Sequence, residues 1–230
     1  MAQIKTKICG IKDADMLGVA IDAGAAYIGF VFFPKSPRNI SITKARVLAN
    51  MVPPGMAKVA LLVNPNDMLI KSITRVVPID MIQLHGKESP ERVAEIKALT
   101  GLPVMKAIGI ARPADIAQIQ SYGEVADQLL IDAKAPKGAD LPGGNGLSFD
   151  WSLIANIKWP KPWMLAGGLT AQNVALAIEK TRATQVDVSS GVEFAPGEKD
   201  PAKIRAFLKA TNAITNGPAP LQPAASKAKA

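Results

Sequence analysis

One thiol, one imidazole and a few isolated carboxylates and cations hold most of the reactive chemistry available to this 230-residue chain. Cys9 ends the run QIKTKICG, Arg38 stands in PKSPRNI, His85 in QLHG, Asp132 in LLIDA, and Asp187, Ser189, Ser190 and Gly191 in VDVSSGVE. Read with the two-residue period of a strand, Lys5, Lys7 and Cys9 share a face. The thiolate is the reactive form of cysteine, and neighbouring ammonium groups favour it. Packing as a small buried hydrophobe explains a free cysteine equally well, so on these residues alone Cys9 is either core or chemistry. One cysteine forms no internal disulfide, and one histidine leaves no cluster with the spacing of a structural zinc site. The reading therefore expects unassisted side chains, with no cofactor and no metal.

Such residues act together only if the fold gathers them. KTKIC, AYIGFVFF, KVALLV, DMIQLHG, PVMKAIGI, ADQLLIDA, PWMLAGG and QVDVSSG read as strands. Between them lie helical stretches with start and stop signals, such as Asp13 capping DMLGVAID and Ser89-Pro90 opening a helix closed by Gly101. FDWSLIANI reads as a short helix of the same kind, giving eight helices in all. The strand ends fall near Cys9, Phe33, Asn64, His85, Gly109, Asp132, Gly167 and Ser189, at intervals of 24, 31, 21, 24, 23, 35 and 22 residues. Eight repeats of one βα unit close into a single (β/α)8 barrel, expected over residues 1–213. An open doubly wound sheet would want G-x-G-x-x-G after its first strand, where this chain has CGIKDA.

In a barrel the βα loops converge at the C-terminal ends of the strands, and that is where the unusual residues lie. Each has a bland use: Arg38 on the surface, His85 as a satisfied histidine, Asp132 as a cap. Their shared rim favours a site. Cys9 and Asp132 end strands one and six and can oppose each other as base and acid, as proton abstraction beside a carbonyl or imine requires. Lys7 is the candidate for bringing the thiol toward neutrality, although a barrel lysine serves equally as an ion-pair partner. LAGGLT, with Gly167 and Gly168, and DVSSGVE place small residues after strands seven and eight, where many barrels hold a phosphate. The expected partner is a small phosphorylated molecule. The longest loop runs from Lys134 to Ser148, and the Pro/Ala/Lys-rich stretch from 214 to 230 reads as disordered.

Composition sets the boundaries. Hydrophobic residues make up 48% and charged residues 20%, the balance of a globular protein rather than a disordered one. No apolar run reaches the ~20 residues of a membrane span, and the N-terminus lacks a secretory layout, so a cytoplasmic protein with no membrane partner is expected. The net charge of +8 raises the question of nucleic acid. No long basic run occurs, aromatics are 5%, and the lysines are scattered as on solvated helix faces, so no nucleic-acid partner is expected.

The motifs together resemble the phosphoribosylanthranilate isomerase family of tryptophan biosynthesis. KICGI, GFVFFPKSPRNI, QLHG, LLIDA, the GG-G loop before FDW, LAGGL and VDVSSGVE carry the likeness over roughly residues 3 to 211. The resemblance implies a sugar-phosphate-binding barrel and an Amadori rearrangement of N-(5-phosphoribosyl)anthranilate to 1-(2-carboxyphenylamino)-1-deoxyribulose 5-phosphate. It implies Cys9 as general base and Asp132 as general acid, Arg38 against the anthranilate carboxylate, and Asp187 near the anthranilate amine. Gly168, Ser190 and Gly191 correspond to the phosphate loops, while His85 has either a structural or a catalytic part. The loop GGNGLSFDW departs from the family in lacking the commoner Thr between its glycines and the Lys after them. The tail is additional, and the expected state is a monomer or homodimer.

Two other readings stay in view. Another sugar-phosphate barrel enzyme is one: an epimerase would carry metal-ligating histidines on several strands, and indoleglycerol-phosphate synthase a lysine and glutamate whose motifs are missing. A non-enzymatic anion or nucleic-acid binder is the other, and it leaves Cys9, Arg38 and Asp132 without a role.

Overall fold

Strands β1 (Lys5–Cys9), β2 (Tyr27–Phe32), β3 (Ala57–Leu62), β4 (Met81–Leu84), β5 (Val104–Ile110), β6 (Gln128–Ala133), β7 (Trp163–Leu165) and β8 (Gln185–Val188) pair in chain order, all parallel. β1 also pairs with β8, from Lys5 opposite Gln185 to Ile8 opposite Val188, and this closes the barrel. The computed structural model describes residues 3–136, 138–139 and 141–214. The expected tail, apart from Ile214, lies outside the described residues.

The alternation of each strand divides two cores. Ile8, Ile28, Phe30, Ile82, Ile108, Leu129, Ile131 and Val186 face the helices and join the large sleeve cluster. Met105, Ala107, Leu130, Met164 and Ala166 fill the barrel interior, and Cys9, Val31 and Leu61 form a smaller group above them. Each fully buried aliphatic or aromatic side chain in these clusters stabilises by ~1.5–3 kcal/mol relative to exposure. At the N-terminal end Gln185 Oε1 accepts from Tyr27 Oη at 2.8 Å and from Gln128 Nε2 at 3.2 Å, a small polar plug.

Helices α1 (Ala14–Asp22), α2 (Ile42–Met51), α3 (Asp67–Val76), α4 (Pro90–Thr100), α5 (Ala117–Val125), α6 (Val174–Thr181) and α7 (Pro201–Ala213) surround the strands. Asp13, Ser41, Asn66, Ser89 and Asp200 accept first-turn amides, so short polar residues fix where those helices start. The expected eight helices become seven α-helices among the described residues. FDWSLIANI forms only a 3-10 turn, Trp151–Ile154, with Asp150 accepting the Ser152 amide at 2.9 Å. Pro160 and Pro162 lie between this turn and β7 and bar a helix from running on into the strand.

A second difference adds an element. Between β8 and α7 the chain forms a hairpin, β9 (Glu193–Ala195) with β10 (Glu198–Lys199), which folds over the rim of the barrel. No helix among the described residues is long and apolar enough to cross a membrane.

Candidate active site

All ten residues singled out from the sequence line one pocket at the C-terminal ends of the strands. Cys9, Arg38, His85, Asp132, Asp187, Ser189, Ser190, Gly167, Gly168 and Gly191 come from six different strands or the loops after them.

Cys9 is 3% exposed and stands above a buried ion pair. Lys7 Nζ meets Asp187 Oδ1 at 2.9 Å, and its charge also acts on the thiol. Gly29 on β2 makes room for both, because a Cβ there would lie 2.9 Å from Cys9 Sγ and 3.2 Å from Lys7 Cε. Burial pushes the Cys9 thiol up, Lys7 and Lys199 pull it down, and Asp187 pushes it up again, leaving it above its ordinary range. Lys7 thus acts in the expected direction, yet its partner and the desolvation outweigh it. Burial pushes Lys7 itself down, and the attraction of Asp187 and Cys9 more than offsets this, so it stays firmly charged.

Asp132 ends β6 and is 7% exposed. Its Oδ1 accepts the Ala133 amide at 2.8 Å, and its Oδ2 lies 3.2 Å from His85 Nε2. Nδ1 of the same ring lies 3.1 Å from Gln83 Nε2. Gly143 of the long loop seals this contact, since a Cβ there would sit 2.5 Å from His85 Nε2 and 2.7 Å from Asp132 Oδ2.

Arg38 is held by the hairpin. Its Nε and Nη2 each donate to Glu193 at 2.8 Å, a bidentate fork, and Nη2 also donates to Gly144 O at 3.2 Å. Lys199 binds the same carboxylate at 2.8 Å and the Ser189 carbonyl at 3.0 Å. Burial pushes Glu193 up, but Arg38 and Lys199 together bring it below the usual carboxylate range. Lys199 is pushed down by burial despite Glu193. The Ser189 hydroxyl donates to the Cys9 carbonyl at 3.2 Å, which ties the ends of β8 and β1 together.

Gly167 and Gly168, with φ of 87° and 60°, turn the chain sharply after β7, and Asn173 braces the turn by bonding the Gly168 carbonyl and the Thr170 amide. Leu147 and Ser148 pack on Gly168 so closely that a Cβ would lie 2.8 Å from the Leu147 carbonyl. The long loop therefore spans the pocket from the His85–Asp132 contact to the turn after β7.

Sequence reasoning missed Gln83 and Lys199 as site residues, and it quoted Glu193 only as a motif letter. Gln83 had a signal, since it shares a strand face with His85. Lys199 had none, because the hairpin that delivers it follows no regular period.

A family model described as "PRAI: N-(5'phosphoribosyl)anthranilate (PRA) isomerase" matches residues 6–210. N-(5'-phosphoribosyl)anthranilate isomerase of Ruegeria sp. (strain TM1040) is 60% identical over 215 residues, covering 93% of this chain and 100% of the relative. The crystal structure of phosphoribosyl anthranilate isomerase from Thermotoga maritima superposes with a TM-score of 0.83 at 36% identity, covering 91% of this chain and 99% of that one. A second isomerase structure, in complex with reduced 1-(o-carboxyphenylamino)-1-deoxyribulose 5-phosphate, has a TM-score of 0.80 at 34% identity over 91% and 99% of the chains. The Thermotoga maritima isomerase is dimeric, and engineered monomers of it superpose with a TM-score of 0.79 at 34% identity over the same shares of the chains. With the family model matched along almost the whole barrel, the chain belongs to the N-(5'-phosphoribosyl)anthranilate isomerase family.

Proposed function

We propose that Cys9 is the general base and Asp132 the general acid of the family's aldose–ketose rearrangement, the isomerisation of phosphoribosylanthranilate in tryptophan biosynthesis. Asp132 gives its proton to the furanose ring oxygen, the C1′–O bond breaks, and the anthranilate nitrogen lone pair forms the C1′=N bond. Cys9 then takes the C2′ proton, the C–H pair forms C1′=C2′, and the imine pair returns to nitrogen. Loss of the C2′ hydroxyl proton and protonation of C1′ give the ketose. The observation that carries this reading is the convergence of a buried thiol with a cation beside it and a carboxylate from another strand on one pocket.

Burial and Asp187 are what hold the Cys9 thiol up. A substrate nitrogen near Asp187 becomes cationic as the ring opens, which offsets the carboxylate's push on Cys9 and favours the thiolate when it is needed. Arg38 Nη1, unlike Nε and Nη2, is not engaged by Glu193, and its remaining donors suit the anthranilate carboxylate. The turns at Gly167–Gly168 and Ser189–Gly191 suit the phosphate, with His85 beside the acid. The substrate analogue seen in the related isomerase supports a phosphorylated ligand here. A cytoplasmic monomer or homodimer completes the reading, the dimer by likeness to the Thermotoga maritima protein.

The test is loss of phosphoribosylanthranilate fluorescence on turnover. Cys9→Ser and Asp132→Asn are each expected to lower kcat by ~10²–10⁴-fold, the usual contribution of a general acid or base. Turnover at the original rate in either variant overturns that residue's role.

A further inference from the structure

We propose that Gln83 and His85 form a two-state relay that sets and restores the proton on Asp132, with Gln83 as the residue that positions it. The inference rests on the reading of Asp132 as the acid. Gln83 is fully buried on β4 and faces the barrel interior, and its Nε2 lies 3.1 Å from His85 Nδ1. An amide nitrogen only donates, so Nδ1 accepts, and the neutral ring carries its proton on Nε2. That proton points at Asp132 Oδ2, 3.2 Å away, while Oδ1 accepts the Ala133 amide. Both oxygens of Asp132 are then acceptors, the arrangement of an ionised carboxylate.

An acid must hold a proton, and the surroundings leave one place for it. Ala133 N–H can only donate, so the proton belongs on Oδ2, and Nε2 must then accept. The ring proton moves to Nδ1, which needs an acceptor facing it. Gln83 supplies one: its Oε1 is buried without a hydrogen-bond partner among the described residues. Buried polar atoms are nearly always paired, so an orphan beside an imidazole nitrogen calls for a reason. Turning the amide by half a revolution exchanges Oε1 and Nε2 within the same volume and presents the orphan to Nδ1–H.

The two amide orientations therefore match the two states of the acid. After Asp132 gives its proton to substrate, the ring donates from Nε2 and the amide nitrogen faces Nδ1. To reload, Gln83 turns Oε1 toward the ring and Nδ1 gains a proton from the solvent that reaches His85, whose side chain is 12% exposed. The Nε2–H bond breaks with its pair left on Nε2, and that proton passes to Oδ2. One proton enters, one moves on, and no electrons are transferred.

His85 is the only histidine in the chain, so a single pair of ring signals reports the state directly. In protein labelled with ¹⁵N-histidine near neutral pH and free of substrate, the expected spectrum is a neutral ring that populates both tautomers, Nε2–H with Asp132 ionised and Nδ1–H with Asp132 protonated. Gln83→Leu removes the donor facing Nδ1. With no acceptor left to face Nδ1–H, the ring should stay protonated on Nε2 alone and kcat should fall about tenfold, with KM changed less than about twofold. Gln83→Glu offers only acceptors and should place the ring proton on Nδ1. A wild-type ring held in a single tautomer, or Gln83→Leu with unaltered ring signals and unaltered kcat, overturns the relay. The wild-type spectrum decides even if the Leu variant fails to fold. Asp132→Asn kinetics judge the acid assignment separately, since the ring tautomer of the free protein is measured without turnover.

Discussion

Two strand lysines of this barrel form buried carboxylate pairs at nearly the same distance, 2.9 Å for Lys7–Asp187 and 3.0 Å for Lys106–Glu88. They do different work because they face different sides of the sheet. Lys106 points outward among the helix-side elements, donating also to the Gly86 carbonyl at 2.9 Å and lying 5.3 Å from the Tyr122 ring centre. Glu88 in turn accepts the Asn64 amide at 2.7 Å and the Gly86 amide, so the pair staples the loops after β3 and β4. Lys7 points inward, and besides Asp187 its other neighbour of note is the Cys9 thiol. Burial pushes Lys106 down even beside Glu88, whereas Asp187 and Cys9 keep Lys7 up. Buried ion pairs add little net stability but are costly to halve, so position rather than strength decides what each is for.

Breaking the outer pair should give the largest effect. Lys106→Met leaves Glu88 as an unpaired buried charge, with an expected loss of about 3–5 kcal/mol of unfolding free energy in urea. Its kcat, measured on folded protein, should stay within a few-fold of the original. Breaking the inner pair should invert the pattern. Lys7→Met is expected to cut kcat by about 10²-fold, ~2.7 kcal/mol of barrier, and to slow alkylation of Cys9. Its stability should fall by less than that of Lys106→Met, because Asp187 borders the pocket and can be hydrated.

Acid titration sharpens the contrast at a third place, the hairpin. Glu193 is held below its ordinary value in the folded protein, so the unfolded chain takes up its proton first as pH falls. Its stabilisation is present above the ordinary glutamate value near 4.3 and is lost as pH drops through the folded value. Glu193→Gln should therefore flatten the acid limb of stability against pH while lowering the plateau. A smaller effect is expected for Lys199→Met: Arg38 still pairs Glu193, and kcat should drop only three- to tenfold through the weaker pull of Lys199 on Cys9.

Much of this was legible in the sequence for a physical reason. Strand periodicity, helix caps and regular intervals are local properties, and they were enough to place Cys9, His85 and Asp132 at one rim. What escaped was longer-range. The Glu193–Lys199 hairpin is held by a turn and by Arg38 far back in the chain, and short irregular elements carry no period. FDWSLIANI has the apolar content of a helix, yet it forms only a 3-10 turn. The balance at Cys9 was also out of reach, since the sequence shows that Lys7 is near but not that Asp187 neutralises it.

The most direct test of the account's centre uses the only thiol in the chain. Iodoacetamide should add one carboxamidomethyl group at Cys9, slowly at neutral pH and faster as pH rises past the ordinary thiol value near 8.5. Activity should fall in step with the mass change, and the reduced product analogue should block both. Full modification of Cys9 with activity retained would contradict its assignment as the base.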